Sequence, residues 1–174
     1  MKKSIFFICV VLLILSGCTS VKTTSLSKYS SQISFFENTA EYYAGGGIIK
    51  CKLSDSATLN DFKCISWIYF FEDGQIKQFE TAVDMKRPDF VIPSNSVVFF
   101  NDHNHNQIKC IWFSKDVTIN NIECKGGGKT ATEFYDNDKL KACFLAKDQM
   151  IQGVDCKSSL LRPVFFFEDG KIKK

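Results

Sequence analysis

From residue 42 onward the apolar positions fall in short runs that end in polar, turn-forming tetrads. Nowhere does the 3.6-residue spacing of an amphipathic helix persist. Two runs are nearly the same peptide: Tyr69-Phe70-Phe71-Glu72-Asp73-Gly74-Gln75-Ile76-Lys77 and Phe165-Phe166-Phe167-Glu168-Asp169-Gly170-Lys171-Ile172-Lys173. Weaker copies are Val98-Phe99-Phe100-Asn101-Asp102 leading to Ile108-Lys109, and Glu133-Phe134-Tyr135-Asp136-Asn137-Asp138-Lys139-Leu140-Lys141. The earliest is Tyr42-Tyr43-Ala44-Gly45-Gly46-Gly47-Ile48, and repeats are numbered from it. Ile76, Ile108, Leu140 and Ile172 are each 32 residues apart, whereas Ile48 to Ile76 spans 28. An aromatic pair running into Asp-Gly and then Ile/Leu-Lys is a hairpin signal, because Gly accepts the positive φ such turns need.

The segment after each hairpin also recurs. Ile48-Ile49-Lys50-Cys51-Lys52-Leu53 matches Leu140-Lys141-Ala142-Cys143-Phe144-Leu145, and a polar turn with Asp116 or Asp148 follows in the later copies. A further short strand such as Met150-Ile151-Gln152-Gly153-Val154-Asp155-Cys156 completes the unit. The pattern predicts an all-β fold of about four tandem hairpin repeats over residues 34–174. It would form either an elongated antiparallel sheet or a short β-solenoid. Asp-Gly turns favour the antiparallel form. The terminal Lys171-Ile172-Lys173-Lys174 begins one more strand, and its lysines would discourage edge-to-edge aggregation.

The N-terminus reads differently. Lys2 and Lys3 precede an apolar run over residues 5–15, which ends in Leu15-Ser16-Gly17-Cys18. The run is short of the ~20 residues a spanning helix needs, and the three-part order is that of an export signal. The tetrapeptide resembles the lipobox of bacterial lipoproteins. That resemblance implies a signal peptide over residues 1–17, cleaved before Cys18, and a diacylglyceryl group on the Cys18 sulfur. One acyl chain binds a membrane only reversibly, whereas two or three on one cysteine anchor firmly. In enterobacterial lipoproteins an Asp after the cysteine retains the protein at the inner membrane. Thr19 therefore favours the outer membrane of a bacterial envelope. Residues 18–33, rich in Ser and Thr, are expected to be the acylated cysteine and a flexible tether.

A lipobox followed by repeats of the form F-x-x-D/N-G-x-I/L-K-x-C-x-L … I-x-G-x-x-C resembles repeat-containing lipoproteins of spirochaetes and related bacteria. More loosely it is similar to hairpin-repeat proteins of the MORN and antitoxin-like kind. The resemblance covers residues 42–174 and bears on fold rather than activity. Two departures stand out: the second repeat lacks both cysteines, and the fourth replaces Asp-Gly by Asn137-Asp138.

Composition narrows the function. Removing Lys2 and Lys3 lowers the Lys and Arg count from 22 to 20 against 19 acidic residues, which leaves no basic excess for nucleic acid. The expected partners are the membrane, through the lipid, and an envelope protein. The 17 Phe favour strands. Of the eight cysteines, Cys9 leaves with the signal and Cys18 carries lipid. Cys51, Cys64, Cys110, Cys124, Cys143 and Cys156 remain. In an exported chain an even count suggests disulfides. Cys51 aligns with Cys143 and Cys64 with Cys156, and the second repeat has Phe79 and Ile92 at those two positions. Joint absence suggests partners within one repeat, Cys51–Cys64 and Cys143–Cys156. Cys110 sits one position early, which on a strand means the opposite face unless a bulge restores the register. Cys110–Cys124 is expected as the third pair. A zinc site competes poorly, because there is no Cys-x-x-Cys.

Chemistry is sparse, and no cofactor is implied. The two histidines, His103 and His105, lie in the long third turn beside Asp102. His-x-His beside a carboxylate could hold a transition metal, and a solvated hairpin loop is the preferred reading. Gly126-Gly127-Gly128-Lys129-Thr130 lacks the first Gly of a phosphate loop, Glu123 standing in its place, and a β-like stretch follows. No nucleophile elbow accompanies the histidines. Glu72, Asp73, Glu168 and Asp169 sit in turns that recur as structure. In the stripes Tyr69-Phe70-Phe71, Val98-Phe99-Phe100 and Phe165-Phe166-Phe167, neighbouring rings must point to opposite faces. One ring enters the core, and the other either packs inside or makes a binding surface, with packing preferred. The sequence thus favours a non-enzymatic interaction or structural module. The alternative is a small metal-binding protein or enzyme built on the His103/His105 loop.

Overall fold

The computed structural model describes residues 21–25, 32–128 and 130–173. The expected signal peptide and Cys18 lie outside them. The strands are β1 (Val21–Ser25), β2 (Gln32–Phe36), β3 (Glu41–Tyr42), β4 (Ile48–Lys52), β5 (Ala57–Leu59), β6 (Phe62–Phe70), β7 (Ile76–Thr81), β8 (Met85–Lys86) and β9 (Val91–Ile92). They continue with β10 (Val97–Phe100), β11 (Ile108–Trp112), β12 (Val117–Ile119), β13 (Ile122–Cys124), β14 (Ala131–Phe134), β15 (Leu140–Cys143), β16 (Gln149–Ile151), β17 (Val154–Cys156) and β18 (Val164–Phe165). A single 3-10 turn, Glu37–Thr39, is the helical element among the described residues.

The fold is all-β. One open antiparallel sheet runs β18-β15-β14-β11-β10-β7-β6-β4-β3, with β5 paired to β6. It does not close, so of the two forms the sequence allowed it is the sheet and not the solenoid. Between successive long hairpins the chain makes short ones: β5 with β6, β8 with β9, β12 with β13 and β16 with β17. One buried cluster joins both sets, for example Phe79, Val98 and Ile111 of the sheet with Leu59, Ile92, Ile119 and Ile151 of the short hairpins.

Two turn chemistries build this plan. The long hairpins at residues 43–47, 71–75, 135–139 and 167–171 share one hydrogen-bond pattern. Phe71 N–H donates to the Gln75 carbonyl at 2.8 Å, and Gly74 N–H donates back to the Phe71 carbonyl at 2.9 Å. The fourth turn residue has positive φ: Gly46, Gly74 and Gly170, and Asp138 at 62° in the copy that lacks Gly. Each such turn leaves a one-residue bulge, as between Tyr69 and Phe70 or Glu133 and Phe134. The short hairpins use two-residue turns with both residues at positive φ: Asn60-Asp61, Asn120-Asn121 and Gln152-Gly153. In the second repeat, Arg87-Pro88-Asp89-Phe90 replaces that pair, closed by Arg87 N–H to the Phe90 carbonyl.

The N-terminal boundary needs correcting. Val21–Ser25 pairs in register with Gln32–Phe36, so the expected tether over residues 18–33 contributes a strand pair instead of a wholly unstructured segment. Ile33 and Phe35 alternate onto one face and are wholly buried, and Phe35 bridges Leu53. The folded unit therefore includes Ile33, one residue before the expected start at 34.

Candidate interaction face

The bulge after each long hairpin sets which residues leave the core. Beyond it, Phe79, Ile111 and Cys143 point inward, and Gln78, Cys110 and Ala142 point outward. Strand pairing then carries one continuous row across the outer face of the sheet. It runs Glu41, Lys50, Tyr69, Gln78, Phe99, Cys110, Glu133, Ala142, Phe165. A second row includes Glu80, Val97, Trp112 and Ala131.

The aromatic stripes divide accordingly. Phe70, Phe100, Phe134 and Phe166 are buried in the core. Tyr69, Phe99 and Phe165 stand on the outer face, joined by Trp67 and Trp112. Phe99 and Trp112 rings lie 4.7 Å apart. Lys50 Nζ sits 5.8 Å from the centre of the Trp67 ring and 2.8 Å from the Glu41 carboxylate. Trp67 is 37% exposed and Phe165 47%. Among the described residues no second layer covers these rings as the short hairpins cover the inner face. At the β18 end the apolar exposure continues with Phe167, and with Leu160 and Leu161 of the preceding loop, where Leu161 is 90% exposed.

Trp67 and Trp112 are the functional candidates that the repeat motif does not flag. Period-two alternation could have found them. Trp67 lies two residues before Tyr69, and Trp112 two after Cys110 on the same outward register.

The third turn does not gather its histidines into one site. His105 Nδ1 is 3.0 Å from Asp73 Oδ2, and its ring stacks on Phe71 at 3.7 Å. It thus fastens the third turn to the second. At the equivalent places Tyr43 and Tyr135 donate their hydroxyls to the Phe70 and Phe166 carbonyls of the next hairpin. His103 lines a different cleft with Asp102, Lys109, Glu133, Asp136 and Glu168. There Lys109 donates to Asp102 at 3.0 Å, which holds the Asp102 carboxyl below its usual range. Among the described residues no three His, Cys, Asp or Glu side chains converge as metal ligands would. Gly126 of the glycine run serves packing. Its N–H donates to Asp116 Oδ1, and a Cβ placed there would lie 2.0 Å from the Lys115 carbonyl oxygen.

The three expected cysteine pairs are not brought together. All six described cysteines are free thiols, and the three expected pairs do not face one another. Cys51 is opposite Ile68, while Cys64 lies between Ala57 and Thr81. Cys110 is opposite Phe99 and Glu133 on the outer face, because the bulge does not restore its register and Ile111 takes the core position. Cys124 bridges Leu145, and Cys143 pairs with Val164. Cys156 is opposite Gln149. Burial pushes the Cys51 and Cys64 thiols up to about 12 and the Cys110 thiol up to about 11. No reactive thiolate is built at these three positions.

Among the described residues no helix is long and apolar enough to cross a membrane. No family model, curated protein sequence or solved structure matches the chain.

Proposed function

We propose that this chain is a lipid-anchored protein of a bacterial envelope that engages a partner protein through the open aromatic face of its sheet. The observation that carries the reading is the set of outward rings, Tyr69 and Phe99 with Trp67 and Trp112 beside them and Phe165 at the β18 edge, on the side of the sheet that the short hairpins leave uncovered. Contiguous exposed apolar surface rimmed by polar groups is characteristic of interaction sites. Tyr and Trp supply large contact area for few frozen torsions. The rim here carries both signs, Glu41, Lys50, Glu80 and Glu133, which suits a polypeptide better than a polyanion. The Leu15-Ser16-Gly17-Cys18 sequence supports the anchor, with the outer membrane favoured by Thr19.

The two halves of the reading are tested separately. Metabolic labelling with palmitate should mark the wild-type chain and not Cys18→Ser, which should leave the membrane fraction. Equal labelling of both would remove the anchor. A photo-reactive side chain introduced at Trp112 should give one discrete cross-linked product in envelopes, and one in the Asn120-Asn121 turn should give none. The same products from both positions, or none from Trp112, would remove the face.

A further inference from the structure

We infer that Cys124 and Cys143 form a disulfide between the third and fourth repeats when the chain meets a disulfide donor. Cys124 ends the short hairpin strand β13, and Cys143 ends the sheet strand β15. Around them the backbones are locked as an antiparallel pair. Lys125 N–H donates to the Phe144 carbonyl at 2.7 Å, and Ala146 N–H donates to the Glu123 carbonyl at 2.9 Å. Cys124 is directly opposite Leu145, so Cys143, two residues earlier, is its diagonal neighbour on the same face. Both side chains are wholly buried; the Cys124 thiol donates to the Ile122 carbonyl at 3.7 Å, and the neighbouring Cys143 thiol raises it above its ordinary value. The Gln149 amide clamps the same junction. Its nitrogen donates to the Glu123 carbonyl, and its oxygen accepts from Glu123 N–H.

The same junction recurs along the chain, and elsewhere it holds one sulfur at most. Phe35 bridges Leu53, with Cys51 two residues earlier. Cys64 pairs with Thr81, with Phe79 two residues earlier. Each repeat thus contributes one residue to the junction before it and one to the junction after it. Only between the third and fourth repeats do both contributions happen to be cysteine.

The chemistry balances as thiol–disulfide exchange. One thiolate attacks the donor disulfide and expels a donor thiol. The second thiolate then attacks the protein sulfur of that mixed disulfide and expels the other donor thiol. Two protein thiols lose their protons and two electrons, and the donor's S–S bond is reduced. The neighbouring Cys143 thiol and burial both raise the Cys124 thiol above its ordinary range, so thiolate is scarce in the folded chain. The bond therefore forms during folding and is slow to form or break afterwards. Once made, it fastens the short hairpin layer to the main sheet.

The test uses the full chain, unfolded and reduced, then refolded in a buffer of reduced and oxidised glutathione and digested without reduction. The expected result is a linked peptide containing Cys124 and Cys143. The refolded chain should also show a raised melting temperature that falls when it is unfolded with a thiol reductant and refolded without oxidant. Cys143→Ala should abolish both the linked peptide and the rise. Comparing wild type with itself, oxidised and reduced, keeps the test valid even where that variant folds poorly. Recovery of Cys124 and Cys143 as separate alkylated thiols, or of Cys124 linked to Cys110 or Cys143 to Cys156, would overturn the inference.

Discussion

At the residue scale, a one-position offset decides what a side chain does. Cys110 and Ile111 are neighbours, yet one faces Glu133 on the outer surface and the other is wholly buried between Val98 and Thr132. Ile111→Ala should cost ~2–5 kcal/mol, as for other large-to-small core changes, and Cys110→Ser should stay within about 1 kcal/mol. Denaturant titration of both variants checks this, and equal losses would contradict the register. Gly126→Ala should destabilise by ~1–3 kcal/mol, because its Cβ would meet the Lys115 carbonyl and the backbone must shift. Gly127→Ala is strained for a different reason, its φ of 71°. The sequence exposed the glycine run but not this purpose. Which glycine is pressed against the backbone depends on the bend before β12, ten residues away, where Asp116 accepts from Gly126.

At the element scale, the repeat was legible because its turns demand particular residues. The Asp-Gly hairpins and their period follow from the need for positive φ, and Asp138 at 62° shows the backbone keeping that geometry without Gly. Less visible were the two-residue turns such as Asn60-Asp61 and Asn120-Asn121, whose residue types also suit ordinary loops. Three aspartates, Asp84, Asp116 and Asp148, each accept from the backbone N–H ten residues on, at Ser94, Gly126 and Ser158. The Ser94 and Ser158 N–H groups hold the Asp84 and Asp148 carboxyls below their usual value. Such a shift stabilises the fold at any pH above the unfolded carboxyl value of about 4. The contribution is lost as pH falls through the lower folded value. Asp84→Asn with Asp148→Asn should therefore flatten the decline in stability below about pH 4, measured by thermal melts across pH. An unchanged acid limb would contradict the assignment. Gln152 is the corresponding tie to the last hairpin, donating to the Gly170 carbonyl at 2.8 Å and accepting from Ile172 N–H. Gln152→Ala should speed hydrogen exchange at Ile172 well before it lowers global stability.

At the scale of the whole molecule, the long-hairpin strands from β3 to β18 pair in chain order, and the short hairpins close one side of the sheet. This gives a quasi-one-dimensional body in which each repeat depends mainly on its neighbours. It explains why the expected cysteine partners do not face one another. Loss of two cysteines from one repeat looked like loss of a pair, but each position contacts a residue of the next or preceding repeat. Covariation within a repeat says nothing about a contact between repeats. All-β character and antiparallel order were readable from turns and alternation. The open face was only half readable, because the stripes showed that rings must split between two sides but not that, among the described residues, one side has no second layer. In the proposed function, a partner in the envelope covers this side. Hydroxyl-radical labelling measures it directly, by comparing Trp67, Tyr69 and Trp112 in the purified chain and in intact envelopes, with the exposed Met150 as reference. The expected result is several-fold protection of the three aromatic residues in envelopes while Met150 reacts equally in both. Equal labelling of the aromatic residues in both samples would contradict it.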